Sequence, residues 1–380
     1  MSWTKMRLEE ICTSITDGDH QTLPLADSGI PFIVIADIDS TNRLDFSNAR
    51  FVPTEYYEKL DEKRKPEKGN VLLTVKGSFG IPVLVEEDNP FVFQRDIAIF
   101  KCNEKVNPAY LFYYMKNPLF YRYADSVAIG AAQRALTLKT LRNTEIQIPP
   151  IEVQNKIADI LSKYDDLIKN NQKQIKLLEE AAQRLYKEWF VDLCFPGCEN
   201  ALIVDGIPEG WKRVGLSEIA PILTGKKDAN FVTENGQYLF FTCAQEPIKA
   251  PSYSFDCDAV ILAGNGDFNV KLYRGQFEAY QRTYVFSPTD NQNLFLLYYA
   301  VKDNMRQLFQ GASGSTIKFL TKRMLEDIKV YVPSNEIRDK FNLMCENYQK
   351  KNEILKATIQ DSTEARDRLL AKLMSGELEV

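Results

Sequence analysis

The chain predicts an α+β fold: two tandem mixed α/β units separated by two long helices that form an antiparallel coiled coil, the whole built as a pseudo-twofold internal repeat. Three observations carry this. The sequence repeats itself, each copy ends in a long segment free of Gly and Pro, and both of those segments carry a heptad seam.

The repeat is read directly. Trp3, Leu8, Glu10 and Ile11 recur as Trp211, Leu216, Glu218 and Ile219 at an offset of 208. The offset then shrinks: Gln94-Arg95 lines up with Gln281-Arg282, and Leu111–Tyr114 with Leu296–Tyr299. From Gly130 it settles at 184, placing Gly314 on Gly130, Leu320 on Leu136, Pro333 on Pro149 and Tyr348 on Tyr164. The copies therefore differ in length within their globular parts and keep one register in their helical parts. This divides the chain into a first unit at 1–149, a helix at 150–195, a linker at 196–210 rich in Pro and Gly, a second unit at 211–333 and a second helix at 334–380.

In the globular units, short apolar runs bounded by turns read as strands: Ile33–Ile35, Val71–Val75, Val83–Val85 and Ile97–Phe100 in the first. Asn107 to Tyr123 and Asn293 to Gln310 have aromatic residues at helical spacing. Asn107-Pro108 and Asn117-Pro118 read as helix starts, because Asn caps and Pro suits the first turn.

The seam of the first long helix is Ile157, Leu161, Tyr164, Ile168, Asn171, Ile175, Leu178, Ala182, Leu185 and Trp189. The second is Phe341, Cys345, Tyr348, Asn352, Leu355, Ile359, Ser362, Arg366, Leu369 and Leu373. A helix of about 40 residues spans roughly 60 Å. Antiparallel pairing with each helix start beside the other's end sets Asn171 opposite Asn352, either a polar pair that trades stability for register or, equally, a solvated break in each seam. Ile160, Leu167 and Leu177 widen the first stripe and offer a face to the globular unit or to another subunit.

The 380 residues carry 47 Lys+Arg against 52 Asp+Glu, a net charge of -5, seven Cys and one His. No apolar run approaches the roughly 18 residues of a membrane span. The opening residues hold no apolar signal core and the cysteines no framework spacing, so a cytoplasmic, reducing location is expected. A single His makes His-based metal sites and Ser-His or Cys-His catalysis unexpected, so no metal and no catalytic residue is assigned. No GxxxxGK[ST] phosphate loop is present. Asn89-Pro90, Asn107-Pro108 and Asn117-Pro118 all lack the second Pro of an adenine methyltransferase motif, and Asp61-Glu-Lys63 lies in a solvated charge run.

What remains is chemistry suited to nucleic acid. Val127 to Arg142 holds Arg134, Lys139 and Arg142 with no acid, and its counterpart Ala312 to Arg323 holds Lys318, Lys322 and Arg323, also with none. Such cations neutralise phosphates and release counterions, while Gln133, Arg134, Ser315 and Thr316 have the donors to reach base edges. Lys76, Gly77 and Ser78 in one copy and the turn around Asn265 in the other allow close backbone approach to a duplex. Gln94, Arg95, Gln281 and Arg282 carry bidentate donors, and Lys226 and Lys227 add charge beside the second copy's opening segment. Taken singly, each is as well explained by a surface charge or a plain turn; their recurrence in both copies adds the weight.

Gln147-Ile-Pro-Pro-Ile-Glu-Val-Gln154, leading through Asp165-Asp166 to Leu185-Tyr-Lys-Glu-Trp-Phe190 and Phe195-Pro196, and the restart Gly206-Ile-Pro-Glu-Gly-Trp211, resemble the specificity subunit of type I restriction-modification systems over essentially the whole chain. The second copy is similar at Val332-Pro333, Ile337 and Phe341, with Arg338 and Ser334 replacing Gln154 and Pro150. The resemblance implies a non-catalytic reader of double-stranded DNA whose globular units are target recognition domains and whose helices are spacers. It implies two modification subunits and motor-nuclease restriction subunits as partners, with S-adenosylmethionine, ATP and Mg used by those partners and no cofactor on this chain. The target would be bipartite and asymmetric, directing adenine-N6 methylation and restriction. The alternatives are a structural coiled-coil scaffold, which leaves the duplicated basic units unexplained, and a self-contained methyltransferase or nuclease, for which no catalytic motif is present.

Overall fold

The computed structural model describes residues 3–130, 134–233, 235–314 and 317–380. They form two compact units, Met1–Asn171 with Thr358–Val380, and Gln172–Ala357.

The repeat is built into the backbone pairing. In the first unit Thr4–Arg7 pairs antiparallel with Glu145–Ile148, Thr4 opposite Ile148. In the second, Lys212–Gly215 pairs with Lys329–Val332, Lys212 opposite Val332. The two pairings carry the same 208 and 184 offsets that the sequence shows. Each opening strand runs into a one-turn helix, Leu8–Ile11 or Leu216–Ile219, whose free N-terminal amide is taken by a glutamate: Arg7 N donates to Glu10 Oε2 and Gly215 N to Glu218 Oε1, both at 2.6 Å. The repeated Glu is thus the cap that turns the chain into the sheet.

The first unit holds an antiparallel sheet in the order Cys12–Asp17, Ile97–Cys102, Val71–Thr74, Pro82–Leu84, and a second of three strands, Arg50–Val52, Ile30–Ile33, Val92–Phe93. The Ile33–Ile35 run divides between a strand end and the 3-10 turn Ile35–Asp37. The aromatic segment forms two helices, Pro108–Lys116 and Pro118–Val127, because Asn117 ends the first and caps the second: its Oδ1 accepts from Leu119 N, as Asn107 Oδ1 accepts from Ala109 N and Tyr110 N. Gln154 of the resemblance motif is fully buried and locks this start to the long helix, accepting from Asn107 N at 2.9 Å and donating to the Lys105 and Pro149 carbonyls.

The second unit carries a single six-stranded sheet in the order Ile222–Thr224, Thr283–Phe286, Phe255–Ala263, Val270–Ala279, Tyr238–Phe241, Ile248–Ala250. Its aromatic segment is one continuous helix, Leu294–Gly311. Arg338, in the place of Gln154, reaches the same helix start by other means, donating to Asp290 Oδ2 and Asn293 Oδ1. Residues 196–210 are not a bare linker: they contain the hairpin Ile203–Val204 with Ile207–Pro208, and the flanking Phe195 and Trp211 rings meet in a tilted contact at 4.7 Å within the second unit's core.

The first long helix, Ile151–Tyr186, ends in the π-helical turn Lys187–Val191, and the second spans Asn335–Ser375. Within each unit the early part of one helix meets the late part of the other, through Asp165 and Arg366 in the first unit and through Phe341 with Tyr186 and Trp189 in the second. Every residue of both seams is buried or half-buried. Off the seam, Leu167, Leu177, Leu343 and Ile354 are exposed, whereas Ile160 packs on the first unit's core. Asn171 and Asn352 are each buried in their own unit with one amide atom lacking a partner among the described residues. Of the polar seam positions in the first unit, Arg366 is explained by its pairing with Asp165 at 2.5 Å.

Candidate nucleic-acid interface

In the first unit three segments converge beyond the end of the four-stranded sheet. Strand Cys12–Asp17 leaves through Gly18, whose amide donates to Ile97 O at 3.3 Å, and Asp19 then bridges Gln94. A Cβ on Gly18 would lie 2.1 Å from Phe93 O, so only glycine lets this segment press against the strand that precedes the turn Gln94–Asp96. The loop after Val71–Thr74 joins from the other side: Val75 N donates to Asp96 O at 2.8 Å, Leu136 N to Val75 O at 2.9 Å, and Lys76 bridges Ala135. Gly77, at φ +75°, makes that turn possible. The result is a recess of about 200 Å³ whose walls include Asp19, His20, Lys76, Gln94, Arg95 and Asp96.

The loop floor is fixed by polar side chains, of which sequence reasoning singled out His20, as a phosphate or base contact or a structural hydrogen bond, and missed Tyr56 and Arg64. Tyr56 OH donates to Asp19 Oδ2 at 2.5 Å, Arg64 Nη1 donates to Gly18 O at 2.6 Å, and His20 Nε2 meets Asp17 Oδ2 at 2.9 Å. The Tyr56 hydrogen bond holds the Asp19 carboxyl below the usual carboxylate range, against the opposing effect of burial. Burial, with this same bond, pushes the Tyr56 phenol up. The Tyr56 and Arg64 contacts join residues far apart in sequence, and no local spacing signals them; the His20–Asp17 contact is local, three residues apart.

The second unit repeats the frame. Gly225 N donates to Thr283 O at 3.1 Å, and a Cβ there would lie 2.0 Å from Ala279 O. Lys227 bridges Tyr280, and Gln281 N donates to Lys227 O. Gly264 N donates to Arg282 O at 2.9 Å, Leu320 N to Gly264 O at 2.8 Å, and Asn265 bridges Phe319. The shared pattern corrects the sequence alignment of the two Gln-Arg pairs by one residue. Gln94 corresponds to Tyr280, Arg95 to Gln281 and Asp96 to Arg282, since each turn is entered by a bridge residue and left by the amide of Ile97 or Thr283. The identical dipeptides misled because the intervening segments differ in length.

Of the cations singled out from sequence, Arg95, Lys139, Lys226, Arg282 and Lys322 are exposed and make no ion pair with another described residue. Arg134 is otherwise employed: it pairs with Asp125 at 3.3 Å and donates to the Asp125 and Ala128 carbonyls, fastening its segment to the preceding helix. Arg142 donates to Ile15 O at 2.7 Å. Lys227 and Lys318 lie over the Phe231 and Phe309 rings at 4.2 and 4.1 Å. Ser78 is exposed in the Gly77 turn. Gln133, Ser315 and Thr316 lie outside the described residues.

Among the described residues no cluster of His, Cys, Asp and Glu is arranged to hold a metal ion, and no helix is long and apolar enough to cross a membrane. Each unit instead presents mixed donors and acceptors on a rigid, glycine-permitted frame, an arrangement suited to reading base edges.

Comparison with known proteins agrees. The family model for the type I restriction modification DNA specificity domain matches residues 1–180 and 208–371, so the chain belongs to that family. The EcoDI specificity subunit of Escherichia coli is 38% identical over 176 residues, 45% of this chain and 39% of that protein, so the match spans well under half of that relative's length. The MjaIX specificity subunit of Methanocaldococcus jannaschii is 25% identical over 389 residues, covering 92% of this chain and 87% of that one. The crystal structure of a type I restriction-modification S subunit from M. genitalium shares the fold with a TM-score of 0.59 at 17% identity, over 98% of this chain and 96% of that chain.

Proposed function

We propose that this chain is the DNA-reading subunit of a type I restriction-modification assembly, recognising a bipartite, asymmetric site and carrying no catalytic group of its own. The observation that supports it most is the double construction of one recognition frame, with the same backbone bonds and different side chains in each copy. One frame would read each half of the site. The family assignment supplies the context, and the relatives' names as specificity subunits point the same way.

In this reading the partners are double-stranded DNA, two modification subunits and motor-nuclease subunits. S-adenosylmethionine, ATP and Mg would serve the partners' chemistry, and the chain's contribution is to choose the adenines that are methylated at N6. A scaffold without DNA contact does not need two such frames. The test is methylome sequencing of the host with the gene intact and deleted. Deletion is expected to abolish methylation at one split adenine motif; an unchanged methylome, with the modification subunit present and active, overturns the proposal.

A further inference from the structure

The corrected correspondence between the two turns says which bases they suit. At equivalent backbone positions the first unit offers Arg95 then Asp96, and the second Gln281 then Arg282. On the adjoining loop Lys76 stands where the second unit has Asn265. These are different hydrogen-bonding alphabets. Arg95 donates only, which matches the guanine O6 and N7 acceptors, while Asp96 accepts only, which matches an exocyclic amino group such as cytosine N4. Gln281 both donates and accepts, the pattern of adenine N7 and N6, and Arg282 returns to the guanine pattern.

Asp96 adds an independent sign of a missing ligand. Its Oδ1 is shielded from solvent and has no hydrogen-bond partner among the described residues, although the side chain lines the recess beside Arg95. A shielded carboxylate oxygen without a donor is costly and calls for one from outside. The backbone around it is held on both sides: Asp96 O accepts from Val75 N, and Ile97 N donates to Gln94 O at 3.2 Å. The turn is therefore organised before DNA arrives.

We infer that these two-residue turns are specificity determinants, Arg95-Asp96 for adjacent guanine and cytosine edges in one half-site and Gln281-Arg282 for adenine and guanine edges in the other. The inference rests on the DNA-reading function proposed above and assigns the residues that carry it. It is tested by exchanging the turns in the full chain assembled with its modification subunits, Arg95→Gln with Asp96→Arg, and reciprocally Gln281→Arg with Arg282→Asp, then reading the methylated motif by genome sequencing. Each exchange is expected to change one or two adjacent positions of one half-site and to leave the other half intact. Asp96→Asn alone is expected to relax discrimination at one position about tenfold. An unchanged motif, or loss of all methylation from a folded, assembled variant, overturns the inference; should one exchange fail to fold, the reciprocal one decides. Failure of the underlying DNA-reading proposal is seen separately, in the wild-type deletion, where no motif disappears.

Discussion

Arg366, near the end of the second long helix, donates through Nη1 to Asp165 Oδ1 of the first at 2.5 Å, and both side chains are nearly buried. Asp165 Oδ2 accepts from Tyr113 OH at 2.8 Å, and Lys116 Nζ stands 3.6 Å away, an ion pair beyond hydrogen-bond range. One carboxylate thus joins the Pro108–Lys116 helix of the globular part to both long helices within the first unit.

This arrangement makes the members unequal. Burial pushes the Lys116 ammonium below the usual lysine range, with Asp165 opposing and Arg366 reinforcing that effect. Breaking a buried pair by removing one partner costs about 3–5 kcal/mol, because the other charge is left uncompensated. Arg366→Met and Asp165→Asn are therefore expected to destabilise the chain by about 3 kcal/mol each, and the double variant by clearly less than their sum. Lys116→Met should cost little, since it removes a charge that burial already disfavours. Urea unfolding of the four variants beside the wild type checks this; additive losses at Arg366 and Asp165 would show that the pair is not coupled.

The two frame glycines give a contrast in kind. Gly18→Ala places a methyl group 2.1 Å from a backbone carbonyl, which cannot move aside without shifting the strand before the turn. The expected cost is about 2–3 kcal/mol, together with loss of half-site recognition. Gly77→Ala meets no atom within 4 Å and suffers only its φ of +75°, so about 1–2 kcal/mol is expected with the recess intact. Melting temperatures and DNA shift assays on both variants separate the outcomes; equal loss of binding by the two would contradict the frame argument.

Much of this was legible in the sequence, and the reasons are physical. The repeat offsets reappear in strand register because Leu8 and Ile11 in the first unit, and Leu216 and Ile219 in the second, are buried in the core of each unit. The seams were legible because a heptad is a local period, and even Asn171, Asn352, Ser362 and Arg366 fall in place on it. The recognition turns were only half legible. Candidate cations could be named from composition, but whether Arg134 faces DNA or Asp125 depends on a contact to the helix before it, and Tyr56, Arg64 and Asp19 meet only through the tertiary fold.

Asp19 supplies a pH prediction. Its pKa is depressed in the folded chain, chiefly by the Tyr56 hydrogen bond, so the stabilisation is fully present above the unfolded carboxylate value of about 3.9 and is lost as pH falls through the lower folded value. Tyr56→Phe removes a hydrogen bond to a charged group, worth about 1.5–3 kcal/mol. The difference in unfolding free energy between wild type and Tyr56→Phe should therefore be greatest near neutral pH and shrink on acidification below about 4. A gap constant down to strong acid would place the effect of Tyr56 in packing instead.

Salt dependence distinguishes cations that meet phosphate from those that hold the protein together. Lys139 and Lys322 lie in the equivalent basic segments, exposed and without an ion pair among the described residues. Each is available to displace counterions, and one phosphate contact contributes about 0.9 to the slope of log K against log salt. Lys139→Ala and Lys322→Ala should each reduce the slope by about that amount and weaken target and non-target DNA alike. Arg134 differs because its guanidinium is already engaged by Asp125 and two carbonyls. Arg134→Ala should leave the slope nearly unchanged while loosening the segment that bridges Lys76, so that discrimination at one half-site falls and binding to the modification subunit persists. Titrations of matched and unmatched duplexes at several salt concentrations, beside a pull-down, read all of these quantities; a slope loss at Arg134 equal to that at Lys139 would return it to the phosphate-contacting set.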